Sequence, residues 1–372
     1  MSWSGQQASA IDAVGKWLAD KSGPQVFRLF GYAGSGKTTL AKHMAEGVDG
    51  EVLYAAYTGK AALVLRKKGC IGASTIHSLI YKAVEDPITG HTEFVINPDS
   101  SVAFAALIII DEISMVGTDL GPDLLSFGTK ILVLGDPAQL PPVKGEGFFM
   151  SGEPDVMLTE IHRQAAENPI IRMSMDIREG RGIAAGQYGD SRVVRRADLD
   201  KEEFRALVLQ ADQMLCGLNR TRQTFNTRYR AIKGIAGKKE AWHPTSGDRL
   251  VCLKNNRNKG LLNGGLWAID QIRVDGKAFK MIVTSIDEPD VMGVEVKVPF
   301  EFFQGTEKSM DWRDLKRADQ FCHGYALTVH KSQGSQWDNV LLYDESHVFR
   351  EDAAKHLYTG VTRAAERVTV IV

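Results

Sequence analysis

The chain has 372 residues, more than a single hydrophobic core normally organises, so we expect two or three domains. Hydrophobic residues make up 44% and charged residues 24%, an ordinary globular composition, and no apolar run is long enough to span a bilayer. Four scattered cysteines argue against a zinc site or a disulfide framework and favour a reducing compartment, so we expect a cytoplasmic protein. The net charge of −1 neither favours nor excludes a polyanionic partner, because a basic surface can be local.

The first predicted elements surround a glycine-rich octet at residues 31–38. Residues 26–30 predict a buried strand and residues 38–46 predict a helix. The octet has two glycines separated by four residues and then Lys37 and Thr38, which is the P-loop pattern. In this pattern Lys37 neutralises the β- and γ-phosphates of ATP, and the Thr38 hydroxyl ligates Mg²⁺. The other residues predicted to bind the nucleotide here are Gly34, Ser35, Gly36 and Thr39.

Two segments after the octet carry small polar residues where loops leave predicted strands. Thr58 and Lys60 follow the strand at residues 52–56, and Thr75 and His77 open a further helical segment. A threonine in such a position commonly caps a helix N-terminus. Taken alone, the capping interpretation is therefore the simpler one for both threonines.

The segment that follows predicts a small β-hairpin. Residues 87–90 have turn chemistry and residues 92–96 alternate between polar and apolar side chains, as a short strand does. Phe94 is the one aromatic residue of this strand. It fits two interpretations equally: stacking on a nucleic-acid base, or packing of the hairpin onto its domain.

Two further strands are predicted to end in polar loops. Residues 107–110 are entirely apolar and precede Asp111 and Glu112. In P-loop enzymes the first acid of such a pair reaches the Mg²⁺ shell and the second activates water. Residues 131–134 form the other strand, and Gln139 follows it. Gln139 fits either a proline-rich turn or a residue that contacts the γ-phosphate.

Residues 220–239 contain basic residues and no acid. Such a run forms either a solvated face or a phosphate-contacting surface, and the sequence leaves both interpretations open. The basic residues are Arg220, Arg222, Arg228, Arg230, Lys233, Lys238 and Lys239.

The pattern changes to short β segments between residues 241 and 320. These segments are predicted at residues 249–253, 266–274, 279–285 and 294–298, with glycine- and asparagine-rich turns between them.

Three more motifs complete an ordered series along the chain. They are residues 160–164, the donor-rich residues 325–336, and residues 357–364, which end in Thr-Arg-Ala. In this order the motifs resemble those of superfamily 1 helicases, and most closely the RecD-like and Dda-like branch, which travels 5′ to 3′ on single-stranded DNA. The resemblance runs from Gln7 to Arg363 and so covers nearly the whole chain.

The resemblance implies an α/β fold with two RecA-like P-loop motor domains, a small β-hairpin insertion and an inserted SH3-like β-barrel. The first motor domain would occupy residues 1–160, with the hairpin at about 82–104. The second would occupy residues 161–240 and 321–372, and the barrel residues 241–320. One departure is Tyr57, which stands where relatives commonly have proline. The motifs also end close to the last residue, so we expect a minimal motor.

The resemblance also implies roles for individual residues. Gln7 would read the adenine, and Gln333 with Gly334 would link the strand to the nucleotide. Arg163 and Arg363 would reach the γ-phosphate, and so act with the catalytic residues Lys37, Glu112 and Gln139. Asp111 would join Thr38 at the metal. Phe94 would be the strand-separating residue, and the remaining DNA contacts would be Thr58, Lys60, Thr75, His77, Thr328, His330 and Lys331.

We therefore expect an ATP-dependent DNA helicase that uses Mg²⁺, binds single-stranded DNA and its junctions with duplex, and has no membrane partner. Roles in replication, repair or recombination, in the nucleoid or in a phage-infected bacterium, would fit this activity. One alternative is a translocase that displaces proteins without efficient unwinding. Another is a P-loop NTPase or kinase that acts on a substrate other than nucleic acid. A non-enzymatic strand binder would not need the hydrolytic residues.

Overall fold

The computed structural model describes residues 3–85, 92–142, 147–160, 167–235 and 240–372. The chain divides into two compact units, residues 1–181 (unit 1) and residues 182–372 (unit 2). Among the described residues, no helix combines the length and the apolar character needed to traverse a bilayer.

Unit 1 alternates helices and strands along its described residues. Its helices are α1 Gly5–Ala19, α2 Lys37–Glu46, α3 Gly59–Lys67, α4 Ile76–Ile80, α5 Leu120–Leu125 and α6 Pro169–Arg178. Its strands are β1 Val26–Gly31, β2 Val52–Ala56, β3 Ser74–Thr75, β4 Tyr81–Glu85, β5 Thr92–Ile96, β6 Leu107–Asp111, β7 Ile131–Gly135 and β8 Val156–Leu158. Short 3₁₀ turns cover Ser101–Ala103 and Ile113–Met115.

The core of unit 1 is a six-stranded parallel sheet in the order β3-β2-β6-β7-β1-β8. Successive side chains of a strand point to opposite faces. In β6, Leu107 and Ile109 pack into one apolar cluster while Ile108 and Ile110 pack into the other. Both faces of the sheet are therefore covered, as a parallel sheet requires. The strands predicted near residues 26, 52, 107 and 131 are confirmed to within one residue at each end.

The topology also determines which loops meet. Strands β6, β7 and β1 are neighbours in the sheet and run in the same direction. Their carboxyl ends therefore lie at one edge, where ligands bind in open α/β sheets. The loops at this edge are the octet after β1, the acid pair after β6 and the polar loop after β7.

A two-stranded antiparallel sheet confirms the predicted hairpin in unit 1. Strand β4 pairs with β5, and Ala83 lies opposite Phe94 in the ladder. The predicted turn at residues 87–90 lies outside the described residues.

Unit 2 contains the remaining described elements. Its helices are α7 Lys201–Gln210, α8 Asn219–Ile232, α9 Glu301–Gln304, α10 Trp312–Arg317, α11 Val329–Ser332 and α12 Ala353–Val361. Its strands are β9 Gly186–Tyr188, β10 Ser191–Val194, β11 Gln213–Cys216, β12 Arg249–Cys252, β13 Leu266–Asp275, β14 Ala278–Ser285, β15 Val294–Pro299, β16 Phe321–His323, β17 Ala326–Thr328, β18 Trp337–Tyr343 and β19 Ala364–Ile371. Its 3₁₀ segments are Arg196–Asp198, Arg257–Lys259, Glu307–Ser309 and Ser346–Asp352.

One sheet of unit 2 has six strands in the order β17-β11-β18-β19-β10-β9. All its neighbours are parallel except β9 and β10, which form an antiparallel edge. Its central strand β18 is buried at Val340, Leu341 and Leu342. This unit therefore has a mainly parallel α/β core of its own.

The other sheet of unit 2 is antiparallel, in the order β15-β14-β13-β12-β16. The four β segments predicted between residues 241 and 320 are confirmed as β12 to β15. Strands β15 and β16 occupy opposite edges and do not pair with each other among the described residues. The expected SH3-like barrel is therefore not closed by backbone pairing; what the structure contains is an open five-stranded sheet.

A buried ion pair joins this antiparallel sheet to helix α8. Arg230 Nη2 donates to Asp248 Oδ2 at 2.9 Å, and both side chains are almost completely buried. Arg230 Nη2 also donates to the Ile235 carbonyl, and Tyr325 Oη donates to Asp248. The basic run at residues 220–239 is thus not a single exposed face: Arg230 is structural, Arg222 is buried, and Lys238 and Lys239 lie outside the described residues.

Candidate nucleotide site and strand-contacting residues

The octet at residues 31–38 forms a tight turn between β1 and α2. Gly34 and Gly36 have φ values of 81° and 78°, in the left-handed region that favours glycine. A Cβ on Gly31 would come within 2.6 Å of Ser35 Oγ, which donates to the Tyr32 carbonyl. Among the described residues no side chain caps α2. The turn therefore directs the first N–H groups of the helix toward the loop, where a phosphate can accept them.

The two polar residues that end the octet are fixed by short contacts. Lys37 Nζ donates to the carbonyls of Gly31 and Tyr32 at 2.6 and 3.1 Å. Thr38 Oγ1 donates to Asp111 Oδ2 at 2.7 Å. The contact between Thr38 and Asp111 brings together two residues that the sequence predicts as metal ligands.

The acid pair after β6 has a distinctive backbone. Glu112 has φ 55° and ψ 45°, a left-handed conformation that is uncommon outside glycine. Its N–H donates to Asp111 Oδ1 at 2.8 Å. After β7, the buried Asp136 accepts from the Ala138 N–H at 3.0 Å, and its carbonyl accepts from the Gln139 N–H at 3.1 Å. The Gln139 loop is thus a hydrogen-bonded turn at the same sheet edge.

Helix α1 contacts the octet through Gln7. This side chain is 3% exposed, and its Nε2 donates to the Ser35 carbonyl at 3.2 Å. Gln7 also forms a capping box with Ser4 at the start of the helix. The structure therefore places Gln7 against the octet, and the same side chain helps to cap the N-terminus of the helix.

The neighbouring Gln6 was not predicted as a site residue. Its Oε1 accepts from the N–H groups of Thr159 and Glu160, both at 2.9 Å, and its Nε2 donates to Thr159 Oγ1. These hydrogen bonds connect α1 with the segment that follows β8. The predicted residue Arg163, a few positions further on, lies outside the described residues.

A second contact that the sequence did not indicate involves Tyr32. The Arg178 guanidinium carbon lies 3.7 Å from the centroid of the Tyr32 ring, a cation–π contact. Arg178 belongs to α6, far from the octet in sequence, so no local pattern could have indicated this pairing. The contact packs the Tyr32 ring of the octet against helix α6.

Thr58 and Thr75 both cap helices, which confirms the simpler interpretation. Thr58 Oγ1 accepts from the Ala61 N–H and Thr75 Oγ1 accepts from the Ser78 N–H, each at 3.1 Å. Lys60 is 7% exposed. Thr58 and Lys60 follow β2, and Thr75 is the last residue of β3, the neighbour of β2 in the sheet.

His77 and Phe94 lie together on the hairpin side of unit 1. Their ring centroids are 4.7 Å apart in an edge-on arrangement, and the His77 ring is also 4.7 Å from that of Tyr81. Phe94 is nevertheless 55% exposed. Its ring therefore packs against a predicted DNA-contacting residue and still presents a large accessible surface.

The predicted strand contacts of unit 2 lie around the short helix α11. Thr328 is its N-cap and accepts from the Lys331 N–H at 3.4 Å. The His330 ring centroid is 5.4 Å from that of Phe349. Partial burial lowers the pKa of His330 although Asp352 opposes this shift, so the ring is neutral at pH 7. Gly334, which follows the buried Gln333, has φ 74°.

Arg363 is anchored within unit 2. It is 5% exposed, and its guanidinium donates to the Thr359 carbonyl at 3.1 Å, the Ser335 carbonyl at 3.3 Å and Thr362 Oγ1 at 3.4 Å. The Ser335 contact connects the motif at residues 357–364 with the motif at residues 325–336. Within unit 2, the predicted residues therefore come together in a single region around α11 and α12.

Two family models match the chain. A model described as an AAA domain matches residues 3–199, which is more than half of the chain. A second model, described as a UvrD-like helicase C-terminal domain, matches residues 323–371.

The chain is similar to several curated proteins over almost its full length. This chain is 29% identical over 387 aligned residues to the ATP-dependent RecD2 DNA helicase of Deinococcus radiodurans, and the alignment covers 97% of this chain and 48% of that protein. It is 26% identical to the ATP-dependent DNA helicase Pif1 of Bdellovibrio bacteriovorus, covering 90% of this chain and 80% of that protein. The chain thus spans about half the length of RecD2 and about a third of several conjugal transfer proteins named TraA.

Solved structures share the fold. A crystal structure of Bacteroides Pif1 bound to single-stranded DNA matches with a TM-score of 0.57 at 19% identity, over 99% of this chain and 92% of that one. Pif1 of Candida albicans matches with a TM-score of 0.53 at 17% identity, over 100% and 94%. The chain therefore has the α/β fold of the Pif1 helicases, and it belongs to the AAA-domain family that the first model describes, in the superfamily 1 branch that contains RecD2 and Pif1.

Proposed function

We propose that this chain is an ATP-dependent DNA helicase that translocates 5′ to 3′ on single-stranded DNA and separates duplex. The observation that carries the proposal is the contact between Thr38 and Asp111 at 2.7 Å. It joins the phosphate-binding loop to the acid pair at the sheet edge where nucleotides bind in P-loop proteins.

The residues at this edge fit Mg²⁺. The Thr38 hydroxyl and the Asp111 carboxylate are hard oxygen donors, and Mg²⁺ commonly takes one or two such protein ligands together with phosphates and water. Bound there, the ion would neutralise charge that develops on the phosphates. The Pif1 structure solved with ADP-AlF₃ and single-stranded DNA supports nucleotide use in this fold.

Each catalytic side chain has a separate proposed task. The Lys37 amine binds the β- and γ-phosphates. The Glu112 carboxylate accepts the proton of the attacking water, and Gln139 contacts the γ-phosphate from the loop after β7. Arg363 and Arg163 donate to the oxygens that gain charge in the transition state, a contribution that is worth roughly 10³- to 10⁵-fold in rate in related enzymes.

The proposed organisation is two RecA-like motor domains with an inserted SH3-like module. Each unit has its own parallel sheet, and the antiparallel sheet enters unit 2 between α8 and β17, which supports an insertion at residues 241–320. If each motor domain holds the strand by its own loops, closure around ATP moves one set of contacts relative to the other. Translocation follows when the two sets weaken alternately.

The proposed strand contacts are Thr58, Lys60, Thr75 and His77 in unit 1 and Thr328, His330 and Lys331 in unit 2. The crystal structures of Bacteroides Pif1 with single-stranded DNA and with forked duplex support this partner class. The 5′-to-3′ direction is proposed from membership of the RecD2 and Pif1 branch.

Unwinding of matched duplexes that carry either a 5′ or a 3′ single-stranded tail tests the proposal. Wild-type protein should unwind the 5′-tailed duplex with ATP, while Lys37→Ala should neither hydrolyse ATP nor unwind. DNA-stimulated hydrolysis without strand separation would indicate the translocase instead. Hydrolysis that DNA does not stimulate would indicate an NTPase acting on another substrate.

A further inference from the structure

A cavity of about 510 Å³ lies in unit 2 between helix α8 and the antiparallel sheet. Arg222 and Arg228 of α8 line one wall, and Cys322 and His323 of β16 line the other. Trp242 contributes a half-buried aromatic ring to the rim. None of these residues belongs to the predicted nucleotide site or to the predicted strand contacts.

Arg222 is a buried cation whose charge is not neutralised by the described residues. Its side chain is only 9% exposed. Nη1 donates to Cys322 Sγ at 2.9 Å, whereas Nε is buried and has no hydrogen-bond partner. Among the described residues no carboxylate forms an ion pair with Arg222. This contrasts with Arg230 on the same helix, which is paired with Asp248.

The free energy of a buried charge makes this arrangement unfavourable without a ligand. Removing a charge from water is unfavourable unless an opposite charge or hydrogen bonds compensate. An anion in the cavity would accept from the unused guanidinium donors of Arg222. The exposed side chain of Arg228 lines the same cavity and adds a second positive charge.

The carboxylates that contact the cavity-lining side chains already have other partners: Asp248, whose Oδ2 lies 3.9 Å from His323 Nε2, is paired with Arg230, and Glu240 accepts from Trp242 Nε1 at the rim. Burial lowers the pKa of His323 well below its usual value, with the nearby Arg230 and Arg222 lowering it further, so the ring is neutral at pH 7. Desolvation of its amine lowers the pKa of Lys331, and the positive charge of Arg222 adds to this effect. Lys331 therefore lies close enough to Arg222 for the two positive charges to interact.

We propose that this cavity is a binding site for a phosphate group of the nucleic-acid strand, with Arg222 as its central ligand and Trp242 beside the adjoining base. The inference rests on the proposed function for the identity of the strand. Three observations favour a strand over a free anion: the cavity is larger than one phosphate, it has an aromatic rim, and Lys331, itself a proposed strand contact, is close by.

The test compares the full-length wild type with Arg222→Met, Arg222→Lys and the control Arg205→Met. Arg205 is an exposed arginine of α7 that does not line the cavity. The affinity for a labelled oligothymidine is measured as a function of salt concentration. The Tm of each protein is measured without ligand, with the oligonucleotide and with inorganic phosphate.

Arg222→Met should weaken strand affinity roughly tenfold, because a hydrogen-bonded charge contact is lost. The plot of log binding constant against log salt concentration should become less steep by about 0.7, the contribution of one phosphate of a single strand. The Tm without ligand should rise, because methionine removes an uncompensated buried charge. Arg222→Lys should retain most of the affinity, and Arg205→Met should match the wild type in both measurements.

Unchanged affinity of Arg222→Met, or a lower Tm of this variant without ligand, would show that Arg222 is only structural and would overturn the inference. Protection of the wild-type Tm by phosphate equal to that by the oligonucleotide would assign the cavity to a free anion instead. A wild type that binds no oligonucleotide would contradict the proposed function as well, so the two failures are distinguishable.

Discussion

Glu112 has a strained backbone at the position proposed to activate water. A left-handed conformation of a residue other than glycine costs on the order of 1–3 kcal/mol, and such strain concentrates at functional sites. Of the described non-glycine residues, only Glu112 and Arg350 have positive φ. The hydrogen bond from the Glu112 N–H to Asp111 holds this conformation in place. The strain thus fixes the Glu112 backbone directly beside the predicted metal ligand.

Glu112→Gln should slow ATP hydrolysis by about 10²- to 10⁴-fold, the usual contribution of a general base. Glutamine keeps the shape of the side chain and the same backbone strain, so ATP and DNA affinities should stay near the wild-type values. Steady-state hydrolysis and equilibrium binding measure the two effects separately. Glu153→Gln, which neutralises an exposed acid of unit 1, serves as the control. Loss of ATP binding in Glu112→Gln would show that the residue is structural.

Arg363→Ala should lower kcat by roughly 10³-fold or more, because its guanidinium is proposed to stabilise charge that develops in the transition state. The structure adds an expectation about stability. The buried carbonyls of Ser335 and Thr359 lose their donor in this variant, which costs about 1–3 kcal/mol. DNA-stimulated hydrolysis and urea unfolding should both be measured. Arg367→Ala, which removes an exposed charge of β19, is the control; an unaffected kcat in Arg363→Ala would contradict the proposed role.

At the residue scale, the sequence predicted contacts between residues of recognisable motifs and missed contacts of residues outside them. Thr38 and Asp111 were both expected at the metal because each belongs to a recognisable motif. The contacts of Gln6 and the pairing of Tyr32 with Arg178 were missed, since neither Gln6 nor Arg178 has a role in a recognisable motif. Arg230 was misjudged because a run of basic residues does not reveal which of them is buried.

At the scale of elements, the hairpin β4–β5 carries the aromatic residue with the clearest proposed role. Phe94 packs edge-on against His77 but keeps 55% of its surface exposed. The accessible face leaves room for stacking on a base, which is worth roughly 1–3 kcal/mol.

Phe94→Ala should therefore reduce duplex unwinding more than it reduces single-strand-stimulated ATP hydrolysis. The residues proposed to bind the nucleotide lie at the sheet edge after β1, β6 and β7, so the rate of ATP hydrolysis should be spared. Both activities should be measured on one preparation. Phe104→Ala, which removes another exposed aromatic residue of unit 1, is a suitable control. Equal losses in the two activities would mean that Phe94 only packs the hairpin.

The sequence analysis predicted strands with a clear pattern, but it missed the shortest strands and assigned no element to some long segments, such as α1, α8 and β18. Strands β12 to β15 were predicted because each alternates over several residues and is bounded by turn residues. Strands β3, β8 and β9 have two or three residues, too few to establish a period. Strand β16 lies just beyond the expected end of the insertion, because the antiparallel sheet takes its last strand from the segment that leads back to β17.

At the scale of the whole molecule, the two mainly parallel sheets and the antiparallel sheet each pack against hydrophobic clusters, and a buried ion pair joins the antiparallel sheet to helix α8. Arg230 and Asp248 are each almost fully buried, and their contacts connect α8, the start of β12 and Tyr325. No motif in the sequence indicates this junction, because its partners become neighbours only when the antiparallel sheet packs against the rest of unit 2.

Asp248→Asn should destabilise the protein by about 3–5 kcal/mol, since the neutral amide leaves Arg230 as a buried cation without its counter-charge. Asparagine has nearly the same shape as aspartate, so packing is kept. The loss of stability therefore measures the effect of removing the negative charge. Urea unfolding measures the change. Lys297→Gln breaks an ion pair with Asp275 that is largely exposed in the same sheet, and its effect should be slight. If Asp248→Asn were as mild as this control, the buried pair would not hold the inserted sheet to unit 2, and the apolar contacts around β12 and β16 would have to do so.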